Sequence, residues 1–178
     1  MATPFQAAIK KLLKVADAAT TPVAKGRAFE DLACYLFESI PGISVYDRNV
    51  LDYFESEEID LALLNEQHPR GLKAFDAWFL IECKNWSKPV GSAEVATFIS
   101  KLANRSLGFG ILIAANGITG TVDDGDRAHA HIAIALSRSI RLIVITRTEI
   151  ESLMRIEDLV ELIKRKLGQL FAGRTIWP

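Results

Sequence analysis

Three short apolar runs constrain this chain more than any other feature: Ala77-Trp78-Phe79-Leu80-Ile81, Phe109-Gly110-Ile111-Leu112-Ile113-Ala114 and Leu142-Ile143-Val144-Ile145. A strand that is apolar on both faces is covered from both sides, and sheets built from such strands carry helices above and below. Helix-period stretches fall between the runs. Val95, Phe98, Ile99 and Leu102 form a buried stripe in the first interval, and RAHAHIAIALSR fills the second. Strand, helix, strand, helix, strand is the order of parallel strands joined by crossovers.

The stretch upstream reads differently. ISVYDRNVL, then an acidic DYFESEE, then IDLALLN is the pattern of two antiparallel strands joined by a turn. The stretch NEQHPRGLKAFD, with Pro69 and Gly71, is a loop leading to the third strand, AWFLIECK. Two helices precede these strands. The first spans about Pro4 to Ala19 and is stopped at Thr20-Thr21-Pro22, where Thr21 is a good N-cap and Pro22 a good first helical residue. The second carries Phe29, Leu32, Ala33, Leu36, Phe37 and Ile40 and ends at Pro41-Gly42. Ser92 is the expected cap of the helix after AWFLIECK, and the C-terminal helical stretch breaks near Arg155-Ile156.

The expectation is an α/β chain with a mixed central sheet, a three-strand meander plus crossover strands, flanked by helices. Residues 1–20 read as an N-terminal helical extension and residues 21–178 as a single domain.

Composition narrows the function classes. A chain of 178 residues buries about 70 % of its unfolded surface, so it folds without disulfides or a structural metal. Cys34 and Cys83 form neither a metal-ligand spacing nor a redox pair, and both sit in apolar patterns, which suits free thiols in a reducing cytoplasm. No apolar run approaches the roughly 18 residues of a membrane span, and no secretory signal is visible. A net charge of −1 neither announces nor excludes a nucleic-acid partner. There is no Walker phosphate loop and no supported Ser/His/Asp or Cys/His set. His129 and His131 are two apart on a helix and diverge, and His68 stands alone in a loop. Asp123, Asp124 and Asp126 lack the other positions of a calcium loop and read as helix-capping acids.

The polar residues that need an explanation are Asp60, Glu82 and Lys84. Asp60 begins an apolar strand and shares a face with Ala62 and Leu64, while Ile59, Leu61 and Leu63 point the other way. Glu82 and Lys84 end a buried strand on one common face, with Cys83 on the other. Charges there are costly unless they meet partners. A plain ion pair at a strand end, and a turn acid at a strand start, are the bland alternatives. Two carboxylates converging on a hard divalent cation, with an amine beside them, is the chemical one. Repulsion between Asp60 and Glu82 in metal-free protein then implies that removing either carboxylate raises stability.

Asp60 followed by Glu82-Cys83-Lys84 resembles the D…(D/E)-x-K motif of PD-(D/E)XK nucleases, and more specifically the Mrr-like branch of restriction endonucleases. The resemblance runs from about Gly26 to Leu153 and includes GRAFEDLACYLF, EEIDLAL, FLIECKNW, VGSAEVATF, GILIAANGITG and IRLIVITRTEIESL. It implies a restriction-endonuclease-like fold and a Mg²⁺-dependent endonuclease hydrolysing DNA phosphodiesters in restriction or phage defence, with Mn²⁺ able to substitute. It implies that Asp60, Glu82 and the backbone carbonyl of Cys83 ligate the metal, and that Lys84 orients or deprotonates water or stabilises phosphate charge. Glu30 matches an acidic residue that many members carry on the leading helix, where it helps to bind the metal directly or through water. Its position near a helix start is also explained by the dipole.

Glu94 occupies a place where members often put a site-facing polar residue, and a solvated helix-start acid explains it equally. Arg48, Arg70, Lys73, Lys88, Lys101 and Arg105 are candidate phosphate contacts, with solvated surface charge as the alternative. The Gly117-Ile118-Thr119-Gly120 turn either offers backbone N–H groups to a DNA phosphate or is purely structural. Two alternatives stand beside the defence enzyme: a Holliday-junction or repair nuclease, and a catalytically silent DNA-binding or assembly module. Specificity then comes from loops, a homodimer or a partner subunit, because the chain has little room for a separate DNA-reading domain.

Overall fold

The computed structural model describes residues 3–51, 58–119 and 127–173. The expected acidic turn before Glu58, and Gly120, Asp123, Asp124 and Asp126, lie outside them. The chain runs α1 (Pro4–Ala18), α2 (Pro22–Glu38), β1 (Ile43–Leu51), β2 (Glu58–Asn65), β3 (Trp78–Lys84), α3 (Ser92–Asn104), β4 (Phe109–Ala114), α4 (Arg127–Ser137), β5 (Arg141–Thr146), α5 (Arg147–Ser152) and α6 (Ile156–Phe171).

The helix starts follow local chemistry. Thr3 and Thr21 cap α1 and α2 by accepting the amides of Gln6 and Ala24, and each is followed by a proline whose fixed φ suits the first helical position. Ser92 is not the cap of α3. Gly91 holds that position without a side-chain hydrogen bond, and Ser92 is the first helical residue. The Glu94 carboxylate folds back over this start, its Oε2 3.0 Å from where a Cβ on Gly91 would stand, and its charge offsets the positive helix end that the missing cap leaves. The expected break between α5 and α6 falls at Leu153–Arg155.

The sheet is five-stranded, in the order β1-β2-β3-β4-β5. β1, β2 and β3 pair antiparallel as a meander, and β4 and β5 add in parallel through the α3 and α4 crossovers. One face of β3 lies over α2, where Phe79 packs on Phe37 with ring centroids 6.1 Å apart. On the other face α3 presses so closely on β4 that a Cβ at Gly110 would lie 2.6 Å from the Leu102 side chain. Only glycine allows that approach. α1 lies against α2, with Phe5 stacked on Tyr35 at 5.8 Å, and Ile9 and Leu13 belong to the same hydrophobic core as the sheet.

The loop between β2 and β3 is held from within. The buried Asn65 amide donates to the carbonyls of Leu72 at 2.8 Å and Asp76 at 3.1 Å, and Leu72 and Phe75 are buried beside it. Arg141 of β5 then clamps Asp76 at 2.7 Å. A loop secured in this way fixes where β3 begins, and therefore where it ends.

Candidate active site

The β2–β3 ladder aligns Leu64 with Trp78 and stops at Leu61 opposite Ile81. The next backbone pair would set Asp60 opposite Glu82. Instead the Asp60 side chain reaches across, and its Oδ2 accepts the backbone N–H of Cys83 at 2.7 Å. Its Oδ1 has no hydrogen-bond partner among the described residues. β3 continues its other edge with β4 as far as Lys84 opposite Ala114, so the strand end stays rigid while the β2 side opens. Asp60, Glu82 and Lys84 therefore meet on one face at the rim of the sheet.

Burial pushes the Asp60 carboxyl up to about 6, with the negative charge of Glu82 as the second cause; the Cys83 amide, Lys84 and Lys101 act in the opposite direction. Glu82 is buried at 5 % exposure and is gripped at both oxygens. Lys84 Nζ donates to Oε1 at 2.7 Å, and Lys101 Nζ, from α3, donates to Oε2 at 2.8 Å. Burial lowers the Lys84 pKa, but Glu82 more than reverses this and leaves it above the ordinary lysine value. Lys84 is thus an ammonium in this arrangement. It also lies 5.8 Å from the Trp86 ring centroid, within cation–π range.

Glu30 comes up from α2 beneath the opposite face. It is buried, and Arg48 reaches it at 3.5 Å while holding Asp31 more tightly at 2.9 Å. Cys83 lies between the two groups of acids. Its thiol is pushed well above its usual value by burial, and by the charges of Asp60, Glu30 and Glu82. Among the described residues no three His, Cys, Asp or Glu side chains form a closed metal-binding group. The available donor set is two carboxylates and a backbone carbonyl, which is open and suited to a hard cation that keeps water ligands.

The other candidates divide. Arg70, Lys73 and Lys88 are exposed. Arg48 is committed to the α2 acids, and Arg105 donates to the Lys101 carbonyl at 3.0 Å. Lys101 is not a surface charge: it is 7 % exposed and belongs to the site. In the turn after β4, Gly117 N–H donates to Ala114 and Thr119 N–H to Val90, so these two amides are held within the fold. Glu94 lies at the α3 start, its carboxylate over Gly91. The sequence did hold a signal for Lys101. It falls three residues after Phe98 on the buried stripe of α3, where a lysine needs a buried acid to face.

Among the described residues no helix is long and apolar enough to cross a membrane. No curated protein matches the chain. A family model described as "Restriction endonuclease" matches residues 23–154, from the first turn of α2 to just past α5. The match contains the whole sheet and every residue of the site, and the chain belongs to the Mrr-like restriction endonuclease catalytic-domain family.

Proposed function

We propose that this nuclease hydrolyses DNA phosphodiester bonds internally, with a divalent cation held by Asp60, Glu82 and the Cys83 carbonyl. The observation that carries the reading is the meeting of two carboxylates at the sheet rim, Asp60 held by the Cys83 amide and Glu82 next to it on the same face with a lysine on each oxygen. A divalent cation is the partner that relieves two buried like charges together. Mg²⁺ fits all-oxygen ligation, and Mn²⁺ substitutes for it. When bound, the cation supplies charge neutralisation for the phosphate and a more acidic water.

The chain's own residues do the rest. Asp60, tied to the Cys83 amide, and Glu82, tied to two lysines, hold their carboxylates where little reorganisation is needed. Lys84, charged beside Glu82, places a cation where negative charge grows on the phosphate. Glu30, paired with Arg48 beneath the opposite face, is an accessory acid acting through water and not a direct ligand. Arg70, Lys73 and Lys88 are exposed cations for phosphate contact, and the Thr119 hydroxyl is a further donor. Cutting both strands with one site per chain calls for a second copy or a partner subunit. The biological role that fits such an enzyme is restriction or phage defence.

The test is cleavage of supercoiled, linear and branched DNA with Mg²⁺ or Mn²⁺ and with chelator, comparing the wild type with Asp60→Ala, Glu82→Ala and Lys84→Ala. Cleavage that requires the metal and all three side chains supports the reading. Preference for branched DNA would move it toward junction resolution, and cleavage equal in all four proteins rejects the site.

A further inference from the structure

We propose that Lys101 is a positioning residue that fixes the orientation of Glu82, an inference that rests on the reading of Glu82 as a cation ligand. Glu82 has a lysine on each oxygen, but the two lysines differ. The Lys84 side chain is 23 % exposed, whereas that of Lys101 is 9 % exposed. Lys84 has Glu82 as its hydrogen-bond partner on the open side of the site. Lys101 is anchored twice, donating to Glu82 Oε2 at 2.8 Å and to the backbone carbonyl of Glu58 at 2.6 Å.

The consequences follow from that asymmetry. A carboxylate held at one oxygen by a buried, doubly anchored ammonium keeps its torsions, and only its other oxygen can exchange partners. Oε1, on the Lys84 side, is that oxygen. The Glu58 bond matters equally, because Glu58 lies two residues before Asp60 at the start of β2, where the backbone ladder to β3 has already ended. Lys101 therefore connects the end of β3 carrying Glu82 to the end of β2 carrying Asp60. Positioning groups of this kind tune ligand affinity without touching the ligand. A lysine in direct contact with DNA phosphate would need exposure, which Lys101 lacks.

The experiment compares the full-length wild type with Lys101→Met and Lys101→Arg by Mn²⁺ titration calorimetry and by kcat and KM on supercoiled DNA. It adds amide hydrogen exchange of Ile59 and Asp60 in chelator. Lys101→Met is expected to weaken Mn²⁺ binding on the order of tenfold to a hundredfold and to lower kcat with little change in KM, with Lys101→Arg recovering part of both. In metal-free protein, exchange at Ile59 and Asp60 should accelerate. Mn²⁺ binding by Lys101→Met as tight as, or tighter than, wild type overturns the proposal, since Lys101 would then only compete with the cation. A higher KM with unchanged kcat overturns it in favour of phosphate contact. If the wild type itself neither binds Mn²⁺ nor cleaves, the ligand reading of Glu82 fails separately; the chelator arm still decides the anchoring, which unchanged exchange refutes. Should Lys101→Met lose its fold, Lys101→Gln carries the same comparisons.

Discussion

Asp60 accepts the backbone N–H of Cys83 through a single carboxylate oxygen, 2.7 Å away, at the point where the β2–β3 ladder has just ended. A side chain thus completes a strand pairing that the backbone abandons. The same contact keeps an acid in a place where burial and Glu82 both oppose its ionisation.

Asp60 is therefore expected to cost stability when ionised. Its pKa rises from 3.8 to about 6 on folding, so the folded state holds the proton more tightly than the unfolded chain. The stabilisation from the protonated form is complete below about pH 4 and is lost as pH rises through about 6. Asp60→Asn keeps an acceptor for Cys83 and removes the charge. In metal-free buffer at pH 8 it should be more stable than wild type by about 1–3 kcal/mol, with the gap closing toward pH 4. Denaturant melts across that range check it, and a gap that widens at low pH would refute it.

Glu82 behaves in the opposite sense. Sequence reasoning treated the two acids as equivalent, each relieved by removing the other. Lys84 and Lys101 break that symmetry, because Glu82→Ala leaves two lysines, one of them buried, without their carboxylate. Such losses cost about 3–5 kcal/mol where the stranded charge is buried, so Glu82→Ala should destabilise the fold as well as abolish cleavage. Urea titration at neutral pH separates it from Asp60→Asn by sign.

Lys84 should separate activity from stability. Its side chain is partly exposed and Lys101 still holds the other oxygen of Glu82, so Lys84→Ala is expected to cost less stability than Glu82→Ala, about 1–2 kcal/mol. Cleavage should fall on the order of a hundredfold or more, the usual loss when a preorganised charge is removed. A time course on supercoiled plasmid, paired with a thermal melt, measures both. Retained cleavage would show that the charge assigned to Lys84 is not needed for the reaction.

What the sequence made legible was local or periodic. Thr21-Pro22 states its own cap, the three apolar runs state their burial, and alternation alone set Glu82 and Lys84 on one face of their strand, while the β2–β3 register brings Asp60 to it. What it concealed was pairing across elements. Lys101 read as one surface cation among several because its partners, Glu82 and the Glu58 carbonyl, come from two strands distant in sequence. The turn after β4 left a phosphate cradle and a structural turn open, because its glycines announce a turn but not which carbonyls its amides will find. Ser92 read as a cap because composition favours serine there, whereas Glu94 folding back over Gly91 serves the same helix end.

A second buried lysine tests whether ion pairs in this fold are separable from the site. Lys166 of α6 is 2 % exposed and donates to Glu149 of α5 at 2.7 Å. Burial pulls its pKa below the ordinary lysine value despite the pull of Glu149 in the other direction. Glu149 has further duties, since it closes a capping box by accepting the Thr146 amide at 2.9 Å. Lys166→Met replaces a costly buried cation with an apolar chain of similar length and leaves the cap in place, so it should be neutral within about 1 kcal/mol or stabilising. Glu149→Ala leaves the Thr146 cap but opens the other half of the capping box and removes the acid facing Lys166, and should cost about 1–3 kcal/mol. Neither substitution touches the rim of β3, so both variants should cleave DNA at the wild-type rate at temperatures where they remain folded. A comparable loss from the two substitutions would show instead that the pair contributes net stability to the α5–α6 corner.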